Sequence, residues 1–148
     1  KQMSLTMKVE EVTVVTDELV EALGRLMVQL SRSASPPTRE ELQLIIDAKA
    51  IRLLVARNDE SIMGTLTLAL LRIPTGVRAW IEDVVVDEAA RGRGIGEALN
   101  RKALDLAKES GARTVDLTSR PSREAANRLY QRLGFKPRKP TVYRYSLE

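Results

Sequence analysis

A run of arginine and glycine follows an apolar strand directly and precedes a helical pattern. The run, called the glycine turn below, consists of Arg91, Gly92, Arg93, Gly94, Ile95 and Gly96. The strand before it ends in Val84–Val86. A glycine-rich turn that begins a helix exposes backbone N–H groups at the positive end of the helix dipole. The glycine turn therefore predicts a site for a phosphate, a pyrophosphate or another anionic group.

Two adjacent carboxylates, Glu82 and Asp83, are the only ones within the predicted strand Ala79–Val86. The chain has no histidine, the commonest general base, so proton transfer would fall to carboxylates, tyrosine, lysine or water. Neighbouring side chains of a strand point to opposite faces, so without a bulge at most one of the two faces a substrate. We expect that one to be Glu82. The alternative is that either carboxylate only contacts a nearby helix or loop.

Asn127 and Tyr130 are three residues apart on the predicted helix Ser122–Leu133 and therefore share one of its faces. An amide and a phenol on the same face could both contact a ligand. The alternative interpretation is that Tyr130 is a half-buried core residue beside Leu129, since aromatic side chains contribute heavily to protein cores.

Strands and helices that would position these residues follow from periodicity and capping signals. Strands are predicted over Lys8–Val15, Ile51–Arg57, Ser61–Ile73, Ala79–Val86, Thr114–Ser119 and Val142–Leu147. Helices are predicted from a Thr16-Asp17 cap to Leu30, from a Thr38/Glu41 capping box to Ala48, from Ile95 to Ser110, and over Ser122–Leu133. This order indicates an α/β (α+β) chain with a mixed, mostly antiparallel sheet. Its parallel pair would be Ala79–Val86 and Thr114–Ser119.

The composition excludes several classes of protein. A length of 148 residues with 43% hydrophobic residues predicts one ordered domain over residues 1–148. Cysteine is absent, which excludes disulfides and thiolate metal sites and fits a reducing cytoplasm. We therefore expect a cytoplasmic protein without a metal ion. No apolar run is long enough to span a bilayer, so no membrane association is expected.

The charge is uneven along the chain. Residues 1–90 hold 10 Lys+Arg and 14 Asp+Glu, a net −4, whereas residues 91–148 hold 14 and 6, a net +8. A basic second half could serve nucleic acid or a phosphorylated ligand, or could simply be solvated helix faces. The few aromatic residues do not interleave with the arginines, which disfavours a nucleic-acid-binding module.

The glycine turn, the strand ending in Val84–Val86 and the helix carrying Asn127 and Tyr130 together resemble the GNAT superfamily of acetyl-CoA-dependent N-acetyltransferases. The motif in the turn is Arg91-x-x-Gly94-x-Gly96. The resemblance implies the GNAT fold, in which two parallel strands of the sheet splay apart and helices flank the sheet. It also implies an enzyme that transfers the acetyl group of acetyl-CoA to a primary amine of a small molecule or protein.

In that resemblance, acetyl-CoA lies between the splayed strands and its pantetheine arm pairs with the backbone of Val84, Val85 and Val86. The glycine turn holds the pyrophosphate through the N–H groups of its glycines and Ile95, aided by its two arginines. A backbone N–H near Val85 stabilises the oxyanion.

The resemblance further implies direct attack by the amine in a ternary complex. Tyr130 would protonate the departing CoA thiolate, Asn127 would contact CoA near the pantetheine, and Glu82 or Asp83 would be the base. A GNAT-like sensor that binds acyl-CoA without catalysis stays open as an alternative. Homodimers are common in the family, and the acceptor amine is not indicated by the sequence.

Overall fold

The computed structural model describes residues 6–148. Its first two helices, α1 (Asp17–Leu30) and α2 (Arg39–Asp47), both begin at threonine caps. The Thr16 hydroxyl accepts the Leu19 N–H at 3.1 Å. Thr38 and Glu41 form the predicted capping box, with bonds of 3.1 and 2.8 Å. The starts of both helices were predicted correctly because these signals are local.

Within residues 6–148, five strands form one sheet in the order β1-β2-β3-β4-β5. The strands are β1 (Lys8–Glu11), β2 (Ile51–Arg57), β3 (Ile62–Ile73), β4 (Gly76–Val86) and β5 (Val115–Asp116). The first four are antiparallel neighbours, and β4 pairs with β5 in parallel. This is the predicted mixed, mostly antiparallel sheet. Two further helices, α3 (Ile95–Glu109) and α4 (Glu124–Leu133), complete the α/β chain.

Side chains that alternate along β2 divide the core between the two faces of the sheet. Leu53 and Val55 pack with Leu23 and Leu26 of α1 on one face, and Leu42 of α2 joins the same cluster. The residue between them, Leu54, is fully buried on the opposite face. Helix α3 packs on β2, β3 and β4.

The first turn of α3 approaches β3 closely at Gly64. A Cβ added there would lie 3.1 Å from Ile95 Cγ2 and 3.2 Å from Leu99 Cδ1. The same Cβ would lie 3.0 Å from the Val85 carbonyl oxygen, so a larger residue would require a shift of β4 or of the start of α3. The absence of a side chain at Gly64 thus permits the close approach of α3 to β3.

The chain divides into two compact units, one ending at Thr118 and the other Ser119–Glu148. The second contains α4, which ends at Gly134 in the left-handed region (φ +105°), as the glycine stop signal predicts. The predicted last strand, Val142–Leu147, was wrong: no strand forms there, and Tyr143 is 92% exposed. Alternation alone does not make a strand, which also needs a partner edge.

None of the helices in residues 6–148 combines the length and the apolarity that crossing a bilayer requires.

Candidate functional site

The glycine turn leaves the N-terminus of α3 open. Gly92 and Gly94 have φ of +81° and +79°, a region that glycine adopts without steric cost. Gly94 is the N-cap of α3 and supplies no side-chain cap, unlike Thr16 and Thr38. The first bond of the helix runs from the Ala98 N–H to the Gly94 carbonyl at 3.0 Å. The N–H groups before Ala98 in this first turn therefore point out of the helix end.

The space in front of this helix end is open and basic. A Cβ added to Gly92 or Gly94 would meet no atom within 4 Å. Arg91 and Arg93 are exposed, and neither forms an ion pair with another described residue. Free N–H groups and two unpaired guanidinium groups make this the expected environment for an anion.

Strand β4 loses its parallel neighbour half-way along. Ala79 and Trp80 pair with Val115 and Asp116, and the Ala79 N–H donates to the Thr114 carbonyl at 2.9 Å. No described strand pairs with β4 on that side beyond Trp80. The parallel pair is thus much shorter than the predicted Ala79–Val86 and Thr114–Ser119, and the end of β4 nearest the glycine turn has a free backbone edge.

The backbone groups on that free edge can be assigned from their neighbours. The Asp87 N–H donates to the Met63 carbonyl at 2.8 Å, so Asp87 faces the β3 side. Because consecutive residues alternate between the two edges of a strand, Val86 turns its N–H and C=O groups to the free edge, and Val84 has no pairing partner on β3. Val85 turns its backbone to β3, and its side chain is buried in the cluster with α1 and α2.

A β-bulge interrupts β4 at the two candidate carboxylates. Val85 pairs with Thr65 and Glu82 with Thr67, so β4 has one extra residue between these pairs. Asp83 has φ 51°, the left-handed conformation that aspartate tolerates better than most residues. Both carboxylates are exposed. At this bulge the side chains of β4 no longer alternate strictly between the two faces of the sheet, so Glu82 and Asp83 need not lie on opposite faces.

Register places Glu82 on the face of the sheet that α1 and α2 cover. Glu82 lies opposite Thr67, and Thr67 lies opposite Leu53. Residues directly opposite each other on neighbouring strands share a face. Leu53 packs in the cluster with α1 and α2, so Glu82 belongs to that face.

Asn127 and Tyr130 lie one turn apart on α4, in the second unit. The Asn127 side chain donates to the Arg120 carbonyl at 3.0 Å, which holds the turn before the helix and leaves its amide oxygen free to accept. Tyr130 is 7% exposed and meets the Phe135 ring edge-on, with 5.7 Å between ring centroids. Burial raises the pKa of the Tyr130 hydroxyl, and the charge of Arg123 opposes this shift.

Asn100 was not singled out from the sequence, yet it contacts the glycine turn. It is fully buried in α3, and its amide donates to the Gly96 carbonyl at 2.8 Å. Its amide oxygen finds no hydrogen-bond partner among the described residues. A polar residue at an apolar helical position was the available signal, because buried amides without full satisfaction are unusual in cores.

Within residues 6–148 there is no group of three or more His, Cys, Asp or Glu side chains suited to a metal ion.

Residues 18–135 match the acetyltransferase (GNAT) family model. The chain belongs to the GNAT family. The predicted family and fold are therefore confirmed, whereas one domain over residues 1–148 and the roles of individual site residues stay predictions.

Relatives and solved structures agree with this membership. An uncharacterized N-acetyltransferase of Methanocaldococcus jannaschii is 46% identical over 57 residues, which are 38% of this chain and 25% of that protein. A putative acetyltransferase of Agrobacterium tumefaciens has the same fold, with TM-score 0.83, 23% identity, and coverage of 94% of this chain and 99% of that one. A structure from Bacillus halodurans described as a transcriptional regulator is 30% identical, with TM-score 0.75 and coverage of 95% and 99%.

Proposed function

We propose that this GNAT protein transfers the acetyl group of acetyl-CoA to a primary amine. The observation that carries the proposal is the open, uncapped N-terminus of α3 beside the free edge of β4. An anion-binding helix end next to an unpaired strand edge suits a ligand that has both a pyrophosphate and an amide-containing arm. Coenzyme A has this combination.

In this proposal the pyrophosphate binds the N–H groups of the glycine turn, and Arg91 and Arg93 add positive charge. The pantetheine amides pair with Val84 and Val86 on the free edge, as an added strand would. The donor to the thioester carbonyl then belongs to one of these two residues rather than to Val85 between them. One such donor contributes about 10²–10³ in rate.

The acceptor must lose a proton before it attacks, because an alkylamine has a pKa of about 10.4 and is mostly protonated at neutral pH. We assign this task to Glu82, acting directly or through water. Its face of β4 is the one covered by α1 and α2, in the part of the chain with net charge −4. The excess of acidic residues in this part of the sequence favours a cationic amine.

Replacing Glu82 with glutamine should lower kcat/KM for the amine by about 100-fold at neutral pH, the usual range for loss of a general base. Asp83→Asn is the matched control, since it removes the neighbouring charge and asparagine keeps the left-handed backbone. We expect Asp83→Asn to stay within about threefold of the unsubstituted protein. Steady-state kinetics with one accepted amine measures kcat/KM for both variants. Equal losses of kcat/KM in the two variants would remove the assignment to Glu82.

The activity itself is tested with acetyl-CoA and a panel of primary amines: a polyamine, an amino sugar, an aminoglycoside and a peptide with a free N-terminus. We expect at least one amine to release the CoA thiol and to gain an acetyl group by mass spectrometry. Coenzyme A should also raise the melting temperature, because a ligand that binds only the folded state stabilises it. Absence of any CoA binding would refute the proposal.

The second candidate is a sensor that binds acyl-CoA without turnover, and the likeness to the B. halodurans protein named as a transcriptional regulator favours keeping it. Binding of CoA without acetyl transfer to any amine of the panel would select this candidate.

A cytoplasmic location is also proposed, on the absence of cysteine.

A further inference from the structure

Helix α1 is hydrogen-bonded to the segment that precedes the glycine turn. Arg25 donates to Asp87 through Nη1 and to the Ile62 carbonyl through Nη2, the latter at 3.2 Å. Gln29, one helical turn further, donates to the same Asp87 at 3.4 Å and accepts the Glu88 N–H at 3.0 Å. These contacts of Arg25 and Gln29 with Asp87 and Glu88 are called the Asp87 clasp below.

Asp87 connects these contacts to the backbone of the following segment. Its carboxylate also accepts the Ala89 N–H at 3.1 Å and so caps the short 3₁₀ helix Glu88–Ala90. That helix ends one residue before Arg91. The Arg25 and Asp87 side chains are 32% and 18% exposed, so water screens their ion pair only in part. The clasp is therefore a charge-assisted link between α1 and the start of the glycine turn.

The first half of the glycine turn, Arg91–Gly94, has little internal restraint. Glycine restricts the backbone less than any other residue, and two glycines of the turn adopt positive φ. Arg91 and Arg93 are exposed and form no ion pair with a described residue, so they do not hold the turn either. At its far end the turn is held by α3 itself, with Ile95 buried and Asn100 bonded to the Gly96 carbonyl, whereas the segment before Arg91 is held by the Asp87 clasp.

We infer that Arg25 is a positioning residue for the pyrophosphate: through Asp87 it holds the N–H groups of the glycine turn in their binding geometry. This inference rests on the proposed function, because it takes the pyrophosphate of CoA as the ligand of the turn. The hydrogen bonds and ion pairs of Arg25 with described residues go to Glu21, Asp87 and the Ile62 carbonyl, outside the turn. Its loss lets the turn move, and small displacements of binding groups reduce binding sharply.

The test compares Arg25→Met with Arg57→Met. Arg57 is a matched control, since it also ties α1 to the sheet, through two bonds of 2.8 and 2.9 Å to Glu18, but it does not touch Asp87. We expect Arg25→Met to raise KM for acetyl-CoA about tenfold with kcat within about twofold, and Arg57→Met to change neither.

A second substrate separates positioning from general damage. S-acetyl-pantetheine has the thioester and the amide arm but lacks the pyrophosphate, so it does not use the glycine turn. We expect Arg25→Met and the unsubstituted protein to use it equally well. Equal losses with acetyl-CoA and S-acetyl-pantetheine, or no loss with either, would overturn the inference.

Amide hydrogen exchange gives a readout that needs no ligand. Residues 88–96 should exchange about fivefold faster in Arg25→Met and at the unchanged rate in Arg57→Met, because local opening follows the loss of local contacts. Unchanged exchange in Arg25→Met would also overturn the inference. A protein that binds no CoA but shows the faster exchange would refute the proposed function while upholding the role of the clasp in ordering the turn.

Discussion

Replacing Gly94 with glutamate is expected to abolish acetyl-CoA binding while leaving the protein folded. Gly94 has φ +79°, so any L-residue there costs about 1–2 kcal/mol of backbone strain. An added Cβ meets no atom within 4 Å, so no clash adds to that cost. Native proteins are stable by about 5–15 kcal/mol, and the variant should therefore still fold.

Binding is lost for an electrostatic reason. The glutamate carboxylate would lie at the open N-terminus of α3, where the helix dipole attracts it as it would attract a pyrophosphate. It would then both occupy the free N–H groups and repel the ligand. We expect the Kd of CoA to rise at least about 100-fold, equivalent to about 2.7 kcal/mol, by calorimetric titration.

Gly111→Glu is the matched control at the other end of the same helix. Gly111 has φ +81° and the same open space around its missing Cβ, so the substitution brings the same strain. It lies just beyond the end of α3, far along the helix from the glycine turn. We expect CoA affinity in this variant within about twofold of the unsubstituted protein. Unchanged affinity in Gly94→Glu, or equal losses in both variants, would show that the turn is not the pyrophosphate site.

Local signals explain which parts of the fold could be predicted. The starts of α1 and α2 depend on Thr16 and Thr38 and on residues at most three positions away, so the sequence encodes them directly. The glycine turn is likewise a short continuous segment. Strand β2 was predicted with both its ends because its hydrophobic run is bounded by turn residues.

Pairing between distant segments explains what could not be predicted. Whether β5 extends along β4 depends on two segments about 35 residues apart in sequence, and here pairing stops after Trp80. The bulge at Asp83 comes from the register between β3 and β4. The residue types at that position do not predict this register. The segment Val142–Leu147 alternates like a strand but has no partner strand in the structure.

The same limit applies to the candidate site. The glycine turn was predicted from its sequence, and its role as an anion site stays a prediction, whereas the side chains that contact its flanking segments were not predicted. Arg25 and Asp87 are 62 positions apart, and neither has an unusual local context. Asn100 lies only four residues from Gly96 and is a polar residue beside the apolar stripe of α3, which is a local signal.

Replacing Tyr130 with phenylalanine is expected to lower kcat about 10- to 100-fold while KM for acetyl-CoA stays within about twofold. The substitution removes only the hydroxyl, and the ring can keep its edge-on contact with Phe135. The GNAT resemblance implies that this hydroxyl protonates the departing CoA thiolate. A thiol has a pKa of about 8.5 and leaves readily even unprotonated, so the loss should fall at the lower end of the range for general acids.

The pH dependence of the rate tests whether Tyr130 acts as a general acid. Burial raises the pKa of Tyr130 above its ordinary value of 10.0, so the hydroxyl keeps its proton through neutral and moderately alkaline pH. If the rate of the unsubstituted protein falls at alkaline pH through loss of this proton, the fall should come later than for an ordinary tyrosine, and Tyr130→Phe should lack it. Tyr143→Phe is the control, because Tyr143 is 92% exposed and its loss should change neither kcat nor the pH profile. A Tyr130→Phe variant with full kcat would remove this residue from the mechanism, and a rise in KM alone would make it a binding residue instead.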